Sequence, residues 1–261
     1  MVKVKDIAKA IEEFAPRSLQ ESYDNAGLQV GDPEMQVSAV LLCLDVTPEI
    51  LAEAKARECN LIVSHHPLIF RGLKQLTGAD TTQRTVMQAL RDGIAIYAAH
   101  TNLDSVPGGV SFEMAHKLGL TELSILAPSA EHPGYGLGVV GTCRPTPKLE
   151  FLRRVKDTFG VEELKYSGQS PTIVVRRVAL CGGSGGSFIR DAIGAGADLY
   201  ITGDLKYHDF TDHGQEILLA DIGHYESELC SRQIFSRIIG DALPGCVVYT
   251  SGQEQNPIKY L

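Results

Sequence analysis

The chain has 261 residues, of which 44% are hydrophobic and 21% charged, and 24 Lys and Arg residues against 32 Asp and Glu residues give it a formal net charge of −8. This composition supports a buried core and excludes a disordered chain, and no apolar run approaches the ~20 residues that a membrane-spanning helix needs. The acidic balance argues against a protein dedicated to nucleic acids or to an anionic membrane surface.

Strand-like and helix-like segments alternate along the chain. In the first part we predict a helix at 4–14, strands at 38–45, 60–66 and 93–100, and helices at 48–58 and 82–92. In the second part we predict strands at 136–143, 164–167, 172–181, 197–204, 216–224 and 246–251, with helices at 149–159, 187–195 and 225–239. Apolar strands separated by helices are typical of an α/β fold with helical crossovers.

An internal repeat divides the chain into two related halves. Residues 40–66 align without a gap onto 178–204, at an offset of 138, and the form His-x-x-x-acid recurs at 100–104 and 224–228. The Pro- and Gly-rich stretch 126–135 is the best boundary, so we predict an N-terminal half, 1–125, and a C-terminal half, 126–261. Whether the last strand returns to the first half stays open. Each half would send polar groups out of the carboxyl ends of its strands, where open α/β sheets place their ligands.

The cysteines and the amino terminus favour a reducing, cytoplasmic environment. The six cysteines form no close CxxC pair, so we predict neither a disulfide framework nor a zinc knuckle. Cys43, Cys143 and Cys181 lie in apolar segments and are expected to be small buried hydrophobic residues. Residues 1–14 are charged and amphipathic and lack the apolar core of a secretory signal.

Histidines and carboxylates follow the predicted strands in both halves: His65, His66, His100, Asp104, His224 and Glu228. Adjacent strand residues face opposite ways, so His65 and His66 do not naturally chelate one ion, and alone the pair favours a strand cap made by hydrogen bonds. His224 and Glu228, four residues apart, share one face of a predicted helix. Nitrogen and oxygen donors without a thiolate suit zinc, iron or manganese.

Five motifs make the sequence resemble a known family: YDNAGLQVG at 23–31, SHHPLIF at 64–70, HTNLDSVPGG at 100–109, TGDLKYH at 202–208 and GHYESE at 223–228. They resemble the GTP cyclohydrolase I type 2-like dinuclear metal-centre family, also called Nif-three-like, over nearly the whole chain. The resemblance implies two related three-layer α/β halves with a metal site between them at the strand ends. It also implies two divalent ions, a toroidal homohexamer, and five metal ligands of which Glu228 bridges: His65, His66, Asp104, His224 and Glu228.

Five further positions are candidates with two interpretations each. His100 is a proton donor or orienting residue, hence a candidate catalytic residue, or a structural histidine. Asp204 and His208 lie on the predicted loop TGDLKYHD and contact a ligand or the substrate, or belong to a plain polar loop. Gly183 and Gly185, in CGGSGGS at 181–187, lie in a phosphate cradle or in a tight turn.

The leading functional hypothesis is a metal-dependent hydrolase of a small, nucleotide-like substrate. Two ions would activate water and polarise the bond under attack. The family name implies the concrete form, opening of the guanine imidazole ring of GTP with loss of formate. One alternative is hydrolysis of a phosphoester or a damaged nucleotide on the same metals. The other is a non-catalytic metal-binding scaffold or interaction protein.

Overall fold

The computed structural model describes residues 1–261 and has strands and helices in near-regular alternation. The first elements are α1 (Val4–Phe14), β1 (Gly27–Val30), β2 (Val40–Cys43), α2 (Pro48–Ala56), β3 (Leu61–Ser64), α3 (Thr81–Asp92), β4 (Ala95–Ala98), α4 (Thr101–Asp104) and α5 (Val110–Lys117). The next are β5 (Thr121–Pro128), β6 (Gly136–Pro147), α6 (Lys148–Phe159), β7 (Lys165–Tyr166), β8 (Val174–Ser184), α7 (Ile189–Gly194) and β9 (Leu199–Gly203). The last are α8 (Tyr207–His213), β10 (Leu218–Asp221), α9 (His224–Glu228), α10 (Ser231–Ala242) and β11 (Val248–Thr250). None of these helices is long and apolar enough to span a membrane.

The chain forms two compact units that differ from the division drawn from the sequence. The first unit contains residues 1–103 and 231–255, and the second contains 104–230 and 256–261. The Pro- and Gly-rich stretch is not the border between them. It connects β5 to its antiparallel neighbour β6, with the Ser129 N–H donating to the Tyr135 carbonyl at 2.8 Å. Turn residues mark a hairpin as readily as a domain boundary, and the strand β5 was not predicted.

The first unit is built on a five-stranded sheet with the order β1-β4-β3-β2-β11. All neighbours are parallel except β1, which runs antiparallel to β4, and the C-terminal strand β11 pairs with β2. On one face Leu41, Ile62 and Ile96 pack in a core with residues of α2 and α3. On the other, Tyr97 is buried and its hydroxyl donates to Glu12 of α1 at 3.0 Å. Strand residues thus alternate between two helical layers, which gives the predicted three-layer α/β architecture.

The second unit has a six-stranded mixed sheet with the order β5-β6-β8-β9-β10-β7. The central strands β8, β9 and β10 are parallel, and the outer pairings are antiparallel. Ala179, Tyr200 and Leu219 of these central strands pack in a core with Ile189 and Ala192 of α7. On this framework the strands β8 and β9 carry α9, the helix that contains His224 and Glu228.

The internal repeat corresponds to a repeat in strand register. In the first unit Val40 of β2 pairs with Leu61 of β3, and in the second Val178 of β8 pairs with Leu199 of β9. Both partners are shifted by the same 138 positions, so the offset of the sequence repeat is also the offset between equivalent strand pairs. An antiparallel strand then flanks the third parallel strand in each unit, β1 beside β4 and β7 beside β10.

Three local predictions are corrected by the structure. The single helix expected at 225–239 is two helices, α9 and α10, which separate where the chain passes from the second unit to the first. The expected loop TGDLKYHD contains the start of α8, so His208 is helical. Cys43 and Cys181 are buried as predicted, whereas Cys143 is only partly buried, because it lies on β6 away from the apolar centre of that strand.

Candidate metal centre

Three histidines form a cluster at the carboxyl ends of two neighbouring strands of the first unit. His65 and His66 follow β3, and His100 follows β4. One ligand atom from each of the three lies within 4.8 Å of the others, and the ring centroids are 5.3 to 5.5 Å apart. The opposite facing expected for neighbouring strand residues does not hold here. Regular strand geometry ends at Ser64, and the centroids of the His65 and His66 rings are only 5.3 Å apart.

Each ring of this cluster is held by its Nδ1 atom. The acceptors are oxygen atoms in all three cases: the Ala99 carbonyl for His65 at 2.9 Å, the Asp45 carboxylate for His66 at 2.8 Å and the Asp24 carboxylate for His100 at 2.8 Å. A neutral imidazole that donates from Nδ1 presents the lone pair of Nε2. Histidines that bind metals are oriented in this way by carboxylates and carbonyls.

Asp24 and Asp45 were not identified as site residues from the sequence. The side chain of Asp24 is buried and also accepts hydrogen bonds from the backbone and hydroxyl of Thr101. Burial would raise the pKa of Asp24, but the hydrogen bonds from His100 and Thr101 outweigh it and lower the pKa to about 2. Asp24 therefore stays ionised and fixes the His100 ring. Its place inside YDNAGLQVG was the available signal, because Asp24 lies in the part of the motif that precedes the strand β1.

The second unit has its own group of a histidine and carboxylates. His224 and Glu228 lie one turn apart on α9, and His224 Nε2 is 2.9 Å from Glu228 Oε2. The opposite ring nitrogen, Nδ1, contacts Asp204 Oδ2 at 2.7 Å. Hydrogen bonds with Asp204 and then Glu228 raise the pKa of His224 to about 10. Asp204 thus orients His224 as Asp24 orients His100.

Two carboxylates of the second unit lie close together. An oxygen of Asp104, the last residue of α4, lies within 4.8 Å of an oxygen of Glu228, which is itself buried. The thiol of Cys181 lies near both carboxylates. Its burial is the main cause that raises its pKa to about 12, and the negative charges of Asp104 and Glu228 add to the effect. Two carboxylates held this close repel each other, and a bound cation relieves that repulsion.

The glycine-rich stretch 181–187 is used for packing. A Cβ atom on Gly183 would lie 2.1 Å from Glu228 Oε1, and its φ of +63° is one that side-chain-bearing residues rarely adopt. The N–H groups of the loop are also engaged internally: Gly182 donates to Ser111 Oγ, Gly183 to Ser227 Oγ and Gly185 to Thr202 Oγ1. These three amides therefore do not form the phosphate cradle considered from the sequence. The absence of a side chain at Gly183 leaves space for the Glu228 carboxylate.

Of the two remaining candidates, Asp204 lies in the candidate metal centre and His208 does not. Asp204 contacts His224, as described above. His208 is exposed on α8, where its ring packs 5.4 Å from that of Tyr207, and it belongs to none of the histidine and carboxylate groups.

The family model described as DUF34/NIF3 (NGG1p interacting factor 3) matches residues 2–257. The chain belongs to this family. A GTP cyclohydrolase 1 type 2 homolog of Clostridium perfringens is 39% identical over 231 residues, with 87% of each chain covered. One of Lactococcus lactis is 36% identical, with 98% of each covered. The crystal structure of the Staphylococcus aureus hypothetical protein SA1388 superposes with a TM-score of 0.91 at 28% identity, covering 99% of both chains. DUF34/NIF3 membership confirms the resemblance inferred from the five motifs.

Proposed function

We propose that this DUF34/NIF3 protein is a metal-dependent hydrolase whose two divalent ions are held by His65, His66, Asp104, His224 and Glu228. The observation that carries the proposal is the histidine cluster of the first unit, in which every ring donates from Nδ1 to an oxygen acceptor. Hydrogen bonding of this kind holds the second ring nitrogen ready for a cation.

The donors present fit such ions. Imidazole nitrogens come from the first unit, and carboxylate oxygens with one further imidazole come from the second. This set suits zinc, iron or manganese, whereas calcium favours oxygen donors alone. Gly183 supports the fit, because it allows the buried Glu228 carboxylate to lie against the backbone of β8.

In this proposal the metal ions and the residues around them have separate roles. Divalent ions supply Lewis acidity and activate water for attack near neutral pH. Asp24 and Asp204 orient the rings of His100 and His224 by accepting short hydrogen bonds from their Nδ1 atoms. His100, held by the ionised Asp24, can accept a proton at Nε2 and return it to a leaving group. His100 is therefore our candidate for the catalytic proton-transfer residue.

We propose a nucleotide as the substrate, because similar chains carry the name GTP cyclohydrolase 1 type 2 homolog. In its concrete form the reaction is hydrolytic opening of the guanine imidazole ring with release of formate.

The experiment combines metal analysis with a nucleotide panel. We expect the purified protein to contain two equivalents of a divalent metal and to turn over at least one nucleotide. Glu228→Gln should lower the metal content, because it removes a charge that balances the cations. His100→Ala should retain the metal and lower turnover about 10²-fold. His116→Ala, on the exposed surface of α5, is the control and should change neither. A metal-loaded wild type without turnover on any nucleotide would instead favour a scaffold.

We also propose that the protein assembles into a toroidal homohexamer. Exposed apolar side chains of the second unit support assembly: Ile173 is 79% exposed and Leu149 is 51% exposed. Their backbone segments meet, because the N–H of Lys148 donates to the Ile173 carbonyl, and exposed apolar side chains are typical of interaction surfaces. Light scattering should give the mass of six chains, and a mass of 28.2 kDa at micromolar concentration would contradict the proposal.

A further inference from the structure

Two exposed aromatic side chains lie beside the histidine cluster of the first unit. Tyr23 is 62% exposed and Phe70 is 43% exposed, and their ring centroids are 6.3 Å apart. The Phe70 ring in turn lies 6.1 Å from the His100 ring, with the two planes at 80°. Large apolar rings are usually covered, so an exposed pair that is continuous with a cluster of imidazoles indicates a binding surface.

The segments that carry these rings are tied to each other and to the cluster. Asn25 Nδ2 donates to the Ile69 carbonyl at 2.6 Å, which joins the segment after Tyr23 to the residue that precedes Phe70. Asp24, next to Tyr23, accepts the hydrogen bond from His100. The segments that carry the aromatic pair are therefore held together before any ligand arrives, which lowers the entropic cost of binding.

We infer that Tyr23 and Phe70 form a stacking surface for a planar heteroaromatic ring of the substrate, such as a nucleobase. The inference rests on the proposed function and narrows its substrate class. Bases stack on aromatic side chains through their faces, and a ring on this surface lies next to His100, the candidate proton-transfer residue.

The test compares two probes that share a phosphate and differ in the ring. Zinc-loaded protein is titrated with GMP and with ribose 5-phosphate, which has no base. We expect GMP to bind at least 10-fold more tightly to the wild type. Tyr23→Ala and Phe70→Ala should each reduce this preference about 10-fold, without changing the affinity for ribose 5-phosphate or the zinc content. Tyr207→Ala is the matched control, since Tyr207 is 75% exposed and packs against His208 instead.

The outcomes separate this inference from the proposed function. Equal affinity for both probes in zinc-loaded wild type, or a preference for GMP that survives both substitutions, would overturn the stacking surface alone. Absence of bound metal in the wild type would contradict the proposed function. If Tyr23→Ala changes the molecular mass in light scattering and leaves the GMP preference intact, the pair is a contact between copies of the chain and the inference is wrong.

A different set of contacts assigns a positioning role to Glu254. Its buried carboxylate accepts hydrogen bonds from the backbone N–H groups of Leu44 and of Asp45, the latter at 3.0 Å, and pairs with Arg232 at 2.9 Å. The same two residues, Leu44 and Asp45, also contact His66. The His66 N–H donates to the Leu44 carbonyl at 2.9 Å, and the His66 ring contacts the Asp45 carboxylate.

We propose that Glu254 positions His66 for metal binding through the Leu44–Asp45 dipeptide. This second proposal also rests on the proposed metal site. Glu53 provides a close control because it anchors the same C-terminal segment without reaching the dipeptide. The Glu53 carboxylate accepts from Ser251 Oγ and from the Gly252 N–H at 3.0 Å.

The test measures zinc affinity by chelator competition, the visible spectrum of the cobalt-loaded protein, and thermal stability. Glu254→Ala should lower zinc affinity about 10-fold and shift the cobalt spectrum. Glu254→Gln retains an oxygen acceptor and should restore most of the affinity. Glu53→Ala should lower the melting temperature and leave zinc affinity and the cobalt spectrum unchanged. Equal zinc affinity in Glu254→Ala and wild type would overturn the role of Glu254, whereas a wild type that binds no metal would contradict the proposed site itself.

Discussion

The two units share one strand–helix–strand core and differ in the side chains that follow its strands. At the offset of 138, His66 of the first unit corresponds to Asp204 of the second, and at 124, His100 corresponds to His224. His66 is one of three clustered imidazoles, whereas Asp204 accepts a hydrogen bond from the neighbouring His224. The repeated backbone therefore determines the position of a polar side chain at each strand end. The side chain at that position decides whether it is a candidate ligand or orients one.

A second pair of equivalent positions also carries side chains with different roles in the two units. Asp45 in the first unit accepts a hydrogen bond from His66, and its counterpart in the second unit, at the offset of 138, is Gly183. Gly183 contributes no side chain and instead leaves space for Glu228. In the first unit this position provides a hydrogen-bond acceptor for His66, and in the second it provides space for the Glu228 carboxylate.

The largest expected effect comes from removing an imidazole of the first unit. We predict that His66→Ala lowers zinc affinity about 10²- to 10³-fold, because one ligand accounts for roughly a quarter of the 10–16 kcal/mol typical of a four-ligand zinc site. Chelator competition measures the change. His208→Ala, at an exposed position on α8, should leave zinc affinity at the wild-type value. Equal affinities in the two variants would remove His66 from the ligand set.

A backbone substitution in the second unit should have the next largest effect. Gly183→Ala is expected to lower the free energy of unfolding by about 3 kcal/mol, since it combines a strained φ with a clash against Glu228. Gly240→Ala is the control: nothing lies within 4 Å of its Cβ position on α10, so it should raise stability by about 0.5–1 kcal/mol. Urea unfolding measures both. Similar values for the two variants would show that the loop can relax around Glu228.

The smallest effect tests whether the two units orient their histidines by the same means. Asp45→Ala in the first unit and Asp204→Ala in the second should each lower zinc affinity about 10-fold, because each leaves a histidine Nδ1 without its carboxylate. Asp241→Ala, at an exposed position on α10, is the control and should have no effect. If only one of the two variants loses affinity, the units do not contribute equally to metal binding.

The sequence by itself determined the features that depend on local pattern. Buried strands appear as continuous apolar runs, so the central strands of both units were predicted within a few residues. The gapless repeat of 40–66 onto 178–204 predicted two related halves, and the structure gives them equivalent pairs, Val40 with Leu61 and Val178 with Leu199. Histidines and acids at strand ends identified the candidate ligands, because parallel strands bring their carboxyl ends to one edge.

Only the tertiary structure decided which groups hold those candidates in place. Asp24 and His100 are 76 positions apart, and Glu254 and Leu44 are 210 apart, so no local period relates them. The pairing of β11 with β2 is likewise long-range: Val248 lies beside Val40, and no local pattern relates the two positions. Gly183 lies in a segment with the composition of a phosphate-binding loop. In the structure its N–H donates to Ser227, and its lack of a side chain leaves space for Glu228. A sequence shows which groups can donate, accept or leave space, but long-range packing chooses the partner of each.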